Sequence, residues 1–335
     1  MKGGEETMAQ KVCVETYGCT LNQADSDILS ALLKEKYSLV DVPGRADVIV
    51  LNTCTVKGVT ENKILEYVRR LRMENRKIVI AGCLTANIVK IRKFAPLAPI
   101  VGTSSLNRIC DAVADAFSGK ATTYNTPASK ESLPKLLTAP IMRIPINDGC
   151  TSACAFCQTK LARPFLRSYT PKTVVKWIND GVRSGAREIQ LTSMDSGAYG
   201  LDLRTNLVEL MEAIANDDSA SKPSMPFMVR VGMINPNHAR RMLPGIIRML
   251  KGLRFYKFLH VPVQTGSEKV CEDMGRDHTV KDFIDIVSAV RREIPGATVA
   301  TDIIVGYPTD TEKDFEDTVR LLKTVRPDIT TVSRF

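Results

Sequence analysis

The sequence lacks several features that would assign it at once to a broad class of protein. No apolar run reaches the roughly 18 residues that a membrane-spanning helix needs, and residues 1–7 carry no apolar stretch typical of a signal peptide. Neither a P-loop nor a Gly-x-Gly-x-x-Gly nucleotide fingerprint is present. These absences predict a cytoplasmic protein without a membrane partner, and they exclude the common nucleotide-binding motifs.

Histidine is also scarce, and the charge is one-sided. The chain has 3 histidines, scattered singly, and only His260, late in a predicted strand, is a functional candidate, with core packing as the alternative. The 46 Lys and Arg residues outnumber 37 Asp and Glu, for a formal net charge of +9. This balance favours an anionic partner, nucleic acid above all.

Strand and helix patterns alternate along the 335 residues, which predicts an α/β fold in two domains. The expected order is a disordered N-terminus (1–10), an α/β domain with a parallel sheet (11–118), a linker rich in Ser, Thr, Pro and Lys (119–140), and a second α/β domain (141–335). Strands are expected at 11–17, 48–53, 77–82 and 99–102, and then at 141–146, 188–193, 227–231, 257–263, 298–305 and 329–333.

Nine cysteines in a cytoplasmic chain favour metal binding or catalysis over disulfides. Three of them, Cys150, Cys154 and Cys157, form a Cys-x-x-x-Cys-x-x-Cys loop directly after a predicted strand. Such a loop can ligate three irons of a 4Fe–4S cluster and leave the fourth iron open for an outside ligand, which suggests catalysis. The alternatives are a zinc site or unrelated core thiols, but zinc ribbons use paired Cys-x-x-Cys knuckles and four ligands.

A second set of cysteines follows three successive predicted strands of the first domain: Cys19, Cys54 and Cys83. Loops beyond the carboxyl ends of parallel strands are where ligands bind in open α/β sheets. We therefore expect a second, discontinuous cluster site, with three semi-buried thiols as the alternative. The remaining cysteines, Cys13, Cys110 and Cys271, are expected to have no function.

The cluster loop resembles that of the radical S-adenosylmethionine (SAM) enzymes, and with both cysteine sets the chain resembles the methylthiotransferases of that superfamily. The matching stretches are residues 15–25, 51–56, 81–83 and 147–157. The resemblance implies a partial (β/α)6 barrel in the second domain. Relatives continue into an RNA-gripping TRAM domain, so the end of the chain at residue 335 predicts that this module and the C-terminal end of the SAM domain are absent.

The segment Gln-Thr-Lys-Leu-Ala-Arg-Pro after Cys157 resembles a Thr-Lys-x-Ala-Arg-Gly run of the archaeal and eukaryotic threonylcarbamoyladenosine branch, with Pro164 in place of glycine. The resemblance implies two 4Fe–4S clusters and SAM as cofactors, with Cys150, Cys154 and Cys157 as the catalytic ligands that cleave SAM to a radical. The cluster on Cys19, Cys54 and Cys83 is then the source of sulfur. The implied product carries a methylthio group on the adenine ring of threonylcarbamoyladenosine next to the anticodon of tRNA.

The implied partners are tRNA and an electron donor such as a reductase or a ferredoxin. Other readings remain open: methylthiolation of another tRNA adenosine, methylthiolation of a ribosomal-protein aspartate, or a non-catalytic iron–sulfur electron carrier or RNA-binding protein. Five candidates for SAM binding are Phe156, Asp195, Ser196, Arg230 and Gln264. Candidates for phosphate contacts are Lys90, Arg92, Lys93, Lys160, Arg163 and Arg167.

Overall fold

The computed structural model describes residues 10–55, 58–217 and 226–335. The chain divides into two compact units, one made of Met1–Leu136 with Gln158–Arg163, the other of Leu137–Cys157 with Pro164–Phe335. Except for residue 10, the expected disordered N-terminus (1–10) lies outside the described residues. In the part of the chain that is described, no helix is long and apolar enough to cross a membrane.

The first unit is built on a parallel sheet with helices on both faces. Its strands are β1 (Lys11–Thr16), β2 (Ser38–Leu39), β3 (Val48–Thr53), β4 (Lys77–Gly82), β5 (Ile100–Val101) and β6 (Thr123–Tyr124), in the order β2-β1-β3-β4-β5-β6. Its helices are α1 (Thr20–Lys34), α2 (Gly58–Met73), α3 (Ile88–Phe94), α4 (Ile109–Ser118) and α5 (Thr159–Ala162). Every residue of β3 is buried, with Ile49 and Leu51 in one core and Val48 and Val50 in the other. A continuous apolar run is typical of a central strand covered on both faces.

The segment 119–140, expected as a linker, is structured in part. Thr123–Tyr124 pairs in parallel with β5 and completes the sheet. Further along, Lys130 is 3% exposed and its Nζ lies 2.8 Å from Oδ1 of Asp25. Residues 119–136 therefore belong to the first unit instead of connecting two domains freely.

Within its described residues, the second unit carries six parallel strands that follow one another in chain order. These strands are β7 (Ile141–Pro145), β10 (Glu188–Thr192), β11 (Met228–Val231), β12 (Phe258–His260), β13 (Thr298–Val305) and β14 (Ile329–Arg334), and β8 (Asn147–Asp148) and β9 (Arg167–Ser168) form a separate antiparallel pair. The six parallel strands form two three-stranded sheets, β11-β10-β7 and β12-β13-β14. A parallel bridge from Val229 to Phe255 links the sheet that contains β11 to the segment before β12. The helices are α6 (Pro171–Arg183), α7 (Leu207–Ala215), α8 (Pro236–Lys251), α9 (Glu268–Asp273), α10 (Val280–Glu293) and α11 (Glu312–Val325). The predicted α/β fold class with an N-terminal parallel-sheet domain is confirmed, and the strands and helices that alternate after it are those expected of the partial (β/α)6 barrel.

Alternation along the strands of the second unit separates an apolar face from a polar face. Ile144, Ile189 and Val229 are buried in the large core that the helices cover. The residues that alternate with these along the strands include Arg143 and Arg230, which are half-buried. Because parallel strands place successive side chains on opposite faces, the charged residues share the face away from this core.

Candidate active site

Cys19, Cys54 and Cys83 lie at one edge of the sheet of the first unit. Each follows the carboxyl end of a strand, and those strands, β1, β3 and β4, are direct neighbours in parallel register. Cys19 is the N-cap residue of α1, and Cys83 begins a 3-10 turn that ends at Ala86. A Cβ built on Gly18 would lie 3.1 Å from Cβ of Cys54, so the chain before Cys19 passes close to Cys54. The structure thus brings together the three cysteines of the discontinuous set.

A buried asparagine connects the three loops that carry these cysteines. Asn22 is 0% exposed, and its Nδ2 donates to the carbonyl oxygens of Thr53 at 2.6 Å and of Tyr17 at 3.2 Å. Cys83 Sγ donates to Oδ1 of Asn22 at 3.5 Å. Asn22 was not predicted as a site residue, although its position three residues after Cys19 in α1 is a signal that could have identified it.

The electrostatics of the first set fit a cluster-binding site. Burial raises the pKa of the Cys83 thiol, the Arg163 guanidinium opposes that rise, and the thiols of Cys19 and Cys54 add to it. Three thiols close enough to perturb one another, with a cation beside them, suit an iron–sulfur cluster, because the thiolate is the form that binds metal. The residues present therefore fit the group that the resemblance implies.

The second set lies on a loop of the second unit that the antiparallel pair β8–β9 closes at its base. Gly149, at φ +75°, precedes Cys150, and a Cβ added there would lie 2.1 Å from the carbonyl oxygen of Phe165. Only glycine combines that backbone conformation with so close an approach. Cys150, Cys154 and Cys157 are all half-buried. The loop therefore holds its thiols where a bound group can reach them.

The cluster loop rests on a turn after α9 that the sequence did not point to. The amide of Ala155 donates to the carbonyl oxygen of Met274 at 2.9 Å. Nη1 of Arg276 donates to Cys154 Sγ at 3.1 Å, and its Nη2 donates to the carbonyl oxygen of Pro262 at 2.8 Å. Arg276 thereby places a positive charge beside one of the three thiols.

Cys150 experiences the opposite field. Burial is the largest cause that raises the pKa of its thiol, and the Asp195 carboxylate, with Oδ2 at 4.0 Å from Sγ, adds to it. The amide of Ser152, 3.4 Å from Sγ, lowers it. Within residues 10–55, 58–217 and 226–335, no group of three His, Cys, Asp or Glu side chains is arranged to hold a single metal ion. A cubane cluster does not require three ligands around one ion, because each thiolate binds a separate iron.

Two of the five SAM candidates have a buried structural role in this structure. Asp195, 3% exposed, accepts hydrogen bonds at Oδ1 from the amides of Gly197 at 2.9 Å and Asn235 at 3.0 Å. Its Oδ2 lies 2.9 Å from Nδ1 of His238. Ser196 is 0% exposed. Oγ of Ser196 lies 3.1 Å from Oγ of Ser193, so both side chains have protein partners in the turn after β10. Contact of Asp195 and Ser196 with SAM stays a prediction.

The other three SAM candidates are half-buried: Phe156, Arg230 and Gln264. The Arg230 guanidinium lies over the ring of Phe258, 4.6 Å from its centroid. Gln264 adopts φ +75°, uncommon for a residue other than glycine, while its backbone pairs with β13 at Ile303. Strain of this kind often accompanies ligand sites, so Gln264 remains a candidate.

His260 has a carboxylate partner. Its Nε2 lies 3.1 Å from Oδ2 of Asp302 on the neighbouring strand, and both side chains are about one-quarter exposed. His260 is therefore partly exposed and paired with a carboxylate, and its function stays a prediction. Asp302 and Arg143 share the polar face of the strands and were not identified from the sequence. The signal in the sequence was a charged residue inside a largely apolar strand, Arg143 in β7 and Asp302 in β13.

The phosphate-contact candidates differ in how deeply they are buried. Arg92 donates to the carbonyl oxygens of Ala98 at 2.6 Å and Ala121 at 2.9 Å, which is a structural role. Lys90 pairs with Glu61. Arg163 is buried, which corrects its assignment as a surface contact. Lys160 is half-buried, whereas Lys93 and Arg167 are exposed.

Comparisons with known proteins agree with this geometry. The model described as "Radical SAM superfamily" matches residues 144–322, more than half of the chain, and that described as "Uncharacterized protein family UPF0004" matches residues 11–101. The fold is similar to that of the radical SAM methyltransferase TsrM from Kitasatospora setae, with TM-score 0.67 and 12% identity over 97% of this chain and 73% of that one. The cobalamin-dependent SAM radical enzyme OxsB has TM-score 0.65 and 14% identity, over 94% of this chain and 52% of that one. Fold and cysteine loop together define a radical SAM enzyme.

Relatives identified by sequence show to which family of radical SAM enzymes the chain belongs. The chain is 41% identical over 331 residues, 97% of its length and 76% of the relative's, to an Archaeoglobus fulgidus protein named "Probable threonylcarbamoyladenosine tRNA methylthiotransferase". It is 38% identical, with 97% and 76% covered, to a Pyrococcus horikoshii protein of the same name. A Drosophila pseudoobscura pseudoobscura relative, "Threonylcarbamoyladenosine tRNA methylthiotransferase", is 35% identical over 93% of this chain and 57% of that one. The chain belongs to the threonylcarbamoyladenosine tRNA methylthiotransferase family. The predicted family and its cofactors, SAM and 4Fe–4S clusters, are confirmed at the level of the family.

Proposed function

We propose that this enzyme adds a methylthio group to the adenine ring of threonylcarbamoyladenosine next to the anticodon of tRNA. One observation carries the proposal: the chain holds two separate sets of three cysteines, each set after strand carboxyl ends, in two different units. A single set would suit an ordinary radical SAM enzyme. A second set beside a buried arginine suits a second cluster, and the named relatives supply the substrate class.

Cys150, Cys154 and Cys157 would hold the cluster that binds SAM, and Cys19, Cys54 and Cys83 would hold the auxiliary cluster. When bound, the clusters and SAM supply the reductive cleavage of SAM and the sulfur that is transferred. Arg276 would orient the cluster loop through Cys154. Phe156, Asp195, Ser196, Arg230 and Gln264 are the candidates for contacts to SAM.

The tRNA contacts would come from exposed residues near the cluster loop. Arg167 is exposed in β9, and Phe165, 79% exposed, lies against Gly149 through its backbone. Arginine suits phosphates, and an exposed aromatic ring suits an unstacked base of a single-stranded loop. We further infer that the enzyme works in the cytoplasm and takes electrons from a reductase or a ferredoxin.

The test is an anaerobic assay of reconstituted protein with SAM, a reductant and tRNA that carries threonylcarbamoyladenosine. We expect 5′-deoxyadenosine, and a nucleoside heavier by one methylthio group in place of hydrogen, identified by mass spectrometry after digestion. A matched tRNA without the threonylcarbamoyl group should remain unmodified. An electron carrier would give no 5′-deoxyadenosine. An enzyme for ribosomal protein would leave the tRNA unmodified and modify an aspartate when offered that protein.

Metal content gives an independent check. Reconstituted protein should contain about eight irons as two cubanes. Replacing either cysteine set by alanine should leave about four. A triple variant that retained all its iron would show that those thiols are not ligands.

A further inference from the structure

Arg163 lies in the interior of the first unit, six residues after the last cysteine of the cluster loop. It is 4% exposed, and its Nη2 pairs with Oδ2 of Asp25 and lies 3.5 Å from Oδ1 of Asn22. The same Asn22 oxygen accepts the hydrogen bond of Cys83. Arg163 and Cys83 therefore meet at one buried amide.

The segment that carries Arg163 is held on the turn that carries Cys83. The helix Thr159–Ala162 packs against Cys83–Ala86, and Oγ1 of Thr103 donates to the carbonyl oxygen of Ala162 at 2.6 Å. Within the first unit, this anchoring leaves the guanidinium little freedom to move away from the thiol. The Thr-Lys-Leu-Ala-Arg motif thus delivers an arginine to a defined buried position.

Asp25 fixes that position from the other side. It is 1% exposed and also accepts from Nζ of Lys130 at 2.8 Å. Buried charges are costly unless each meets an opposite charge or a strong hydrogen bond. An arginine that shares its carboxylate with a lysine retains much of its positive field, and the Cys83 thiol lies within that field.

Such a cation has a direct consequence for a cluster. Three thiolates make the site anionic, and reduction adds a further negative charge. A buried positive charge favours the reduced form more than the oxidised form, and hydrogen bonds to the cluster sulfurs act in the same direction. The effect is strong in the interior, where screening by water is weak.

We propose that Arg163 is a positioning residue of the auxiliary cluster: held by Asp25, it sets the cluster's reduction potential through its charge beside Cys83. The inference rests on the part of the proposed function in which Cys19, Cys54 and Cys83 hold a cluster. It differs from a purely structural role, in which any side chain that kept Thr159–Ala162 in place would serve equally well.

The experiment isolates the auxiliary cluster in a full-length Cys150/Cys154/Cys157→Ala background. The midpoint potential is measured by spectroscopic redox titration, together with iron content and thermal unfolding. Arg163→Gln should shift the potential negative, so that the ratio of reduced to oxidised cluster at fixed poise falls about tenfold, which is 59 mV for a one-electron couple. Arg163→Lys should bring the potential most of the way back to the wild-type value. Arg72→Gln removes an exposed charge in the same unit and should leave the potential unchanged.

Asp25→Asn supplies a test of opposite sign, because it removes the carboxylate that offsets Arg163. We expect a positive shift. Loss of iron in Arg163→Gln but not in Arg163→Lys would also support the charge role. An unchanged potential in Arg163→Gln with about four irons retained, or equal loss of iron in both arginine variants, would overturn it. If the background protein itself bound no iron, Cys19, Cys54 and Cys83 would not hold a cluster. That result would contradict the proposed function and not the role of Arg163 alone.

Discussion

Arg276 donates a hydrogen bond to Sγ of Cys154 at 3.1 Å, while its second terminal nitrogen donates to the carbonyl oxygen of Pro262 at 2.8 Å. The two bonds orient the guanidinium, so that one N–H points at a thiol of the cluster loop. Residues that orient and charge-balance metal ligands tune the metal as well as hold it. This contact yields a prediction about the SAM-binding cluster alone.

Replacing Arg276 by glutamine should make that cluster harder to reduce. In a Cys19/Cys54/Cys83→Ala background, we expect Arg276→Gln to lower the midpoint potential and to slow formation of 5′-deoxyadenosine about tenfold, while about four irons remain. Arg276→Lys should recover part of both effects, because it restores the charge without the two-pronged geometry. Equal potentials in the three proteins would show that Arg276 only supports the loop.

Gly149→Ala should distort the cluster loop, because its φ of +75° and the oxygen of Phe165 at 2.1 Å leave no room for a Cβ. Gly306→Ala is the matched control: its φ is +73°, but nothing lies within 4 Å of the added Cβ. The control should cost about 1–2 kcal/mol of unfolding free energy from backbone strain alone. Gly149→Ala should cost more and also lose about four irons. Similar unfolding curves and iron contents for the two variants would contradict the close approach.

Stability should fall in mildly acidic solution because of His278. Burial is the main cause that lowers the pKa of its imidazole from 6.5 to about 3, and Arg276 adds to the effect. The unfolded chain therefore takes up a proton below about pH 6.5 while the folded chain does not, so this contribution is complete above that pH and is lost progressively toward pH 3. The loss is at most about 1.4 kcal/mol per pH unit.

Denaturant unfolding of the wild type and of His278→Gln at pH 7.5, 6 and 5 measures this contribution by difference. The free energy of unfolding should fall more steeply with acidification in the wild type than in the variant. Equal slopes would show that the histidine titrates alike in the folded and unfolded chains.

Phe165 and Arg167 should contribute to tRNA binding in distinguishable ways. Phe165→Ala should weaken binding by about 1–3 kcal/mol, the range for base stacking, with no change in salt dependence. Arg167→Gln should reduce the slope of log affinity against log salt by about 1. Leu253→Ala, at an apolar residue 94% exposed elsewhere, is the control. Titrations at several salt concentrations that left both variants like the wild type would locate the tRNA on another surface.

Much of the framework was predictable because its signals are local. The strands at 48–53, 77–82 and 298–305 were predicted with the bounds that the structure has, since apolar runs in parallel sheets are buried throughout. Thr170 caps α6 and Pro171 begins it, and this signal is local because capping depends on neighbouring residues. The cysteine positions after strands depended on the same local pattern.

What could not be predicted depends on contacts between distant positions. Arg163 lies 138 residues from Asp25 in the sequence, and Lys130 lies 105 residues from Asp25. Arg163 was expected on the surface and Lys130 in a linker, so the burial of these two residues could not be predicted from their neighbours. Strands β2 and β6 have two residues each and are defined by their pairing, not by their composition. The bonds of Asp195 to Asn235 and His238, which lie 40 and 43 residues further along the chain, depend on the fold in the same way.

The central claim is that two cysteine sets hold clusters with different tasks, and one product analysis tests it most directly. Anaerobically reconstituted Cys19/Cys54/Cys83→Ala protein is incubated with SAM, a reductant and threonylcarbamoyladenosine-containing tRNA, beside the Cys150/Cys154/Cys157→Ala protein and the wild type. The first variant should form 5′-deoxyadenosine but no methylthio nucleoside, the second should form neither, and the wild type should form both. A methylthio nucleoside from the first variant would contradict the account, because its sulfur could not then come from a cluster on Cys19, Cys54 and Cys83.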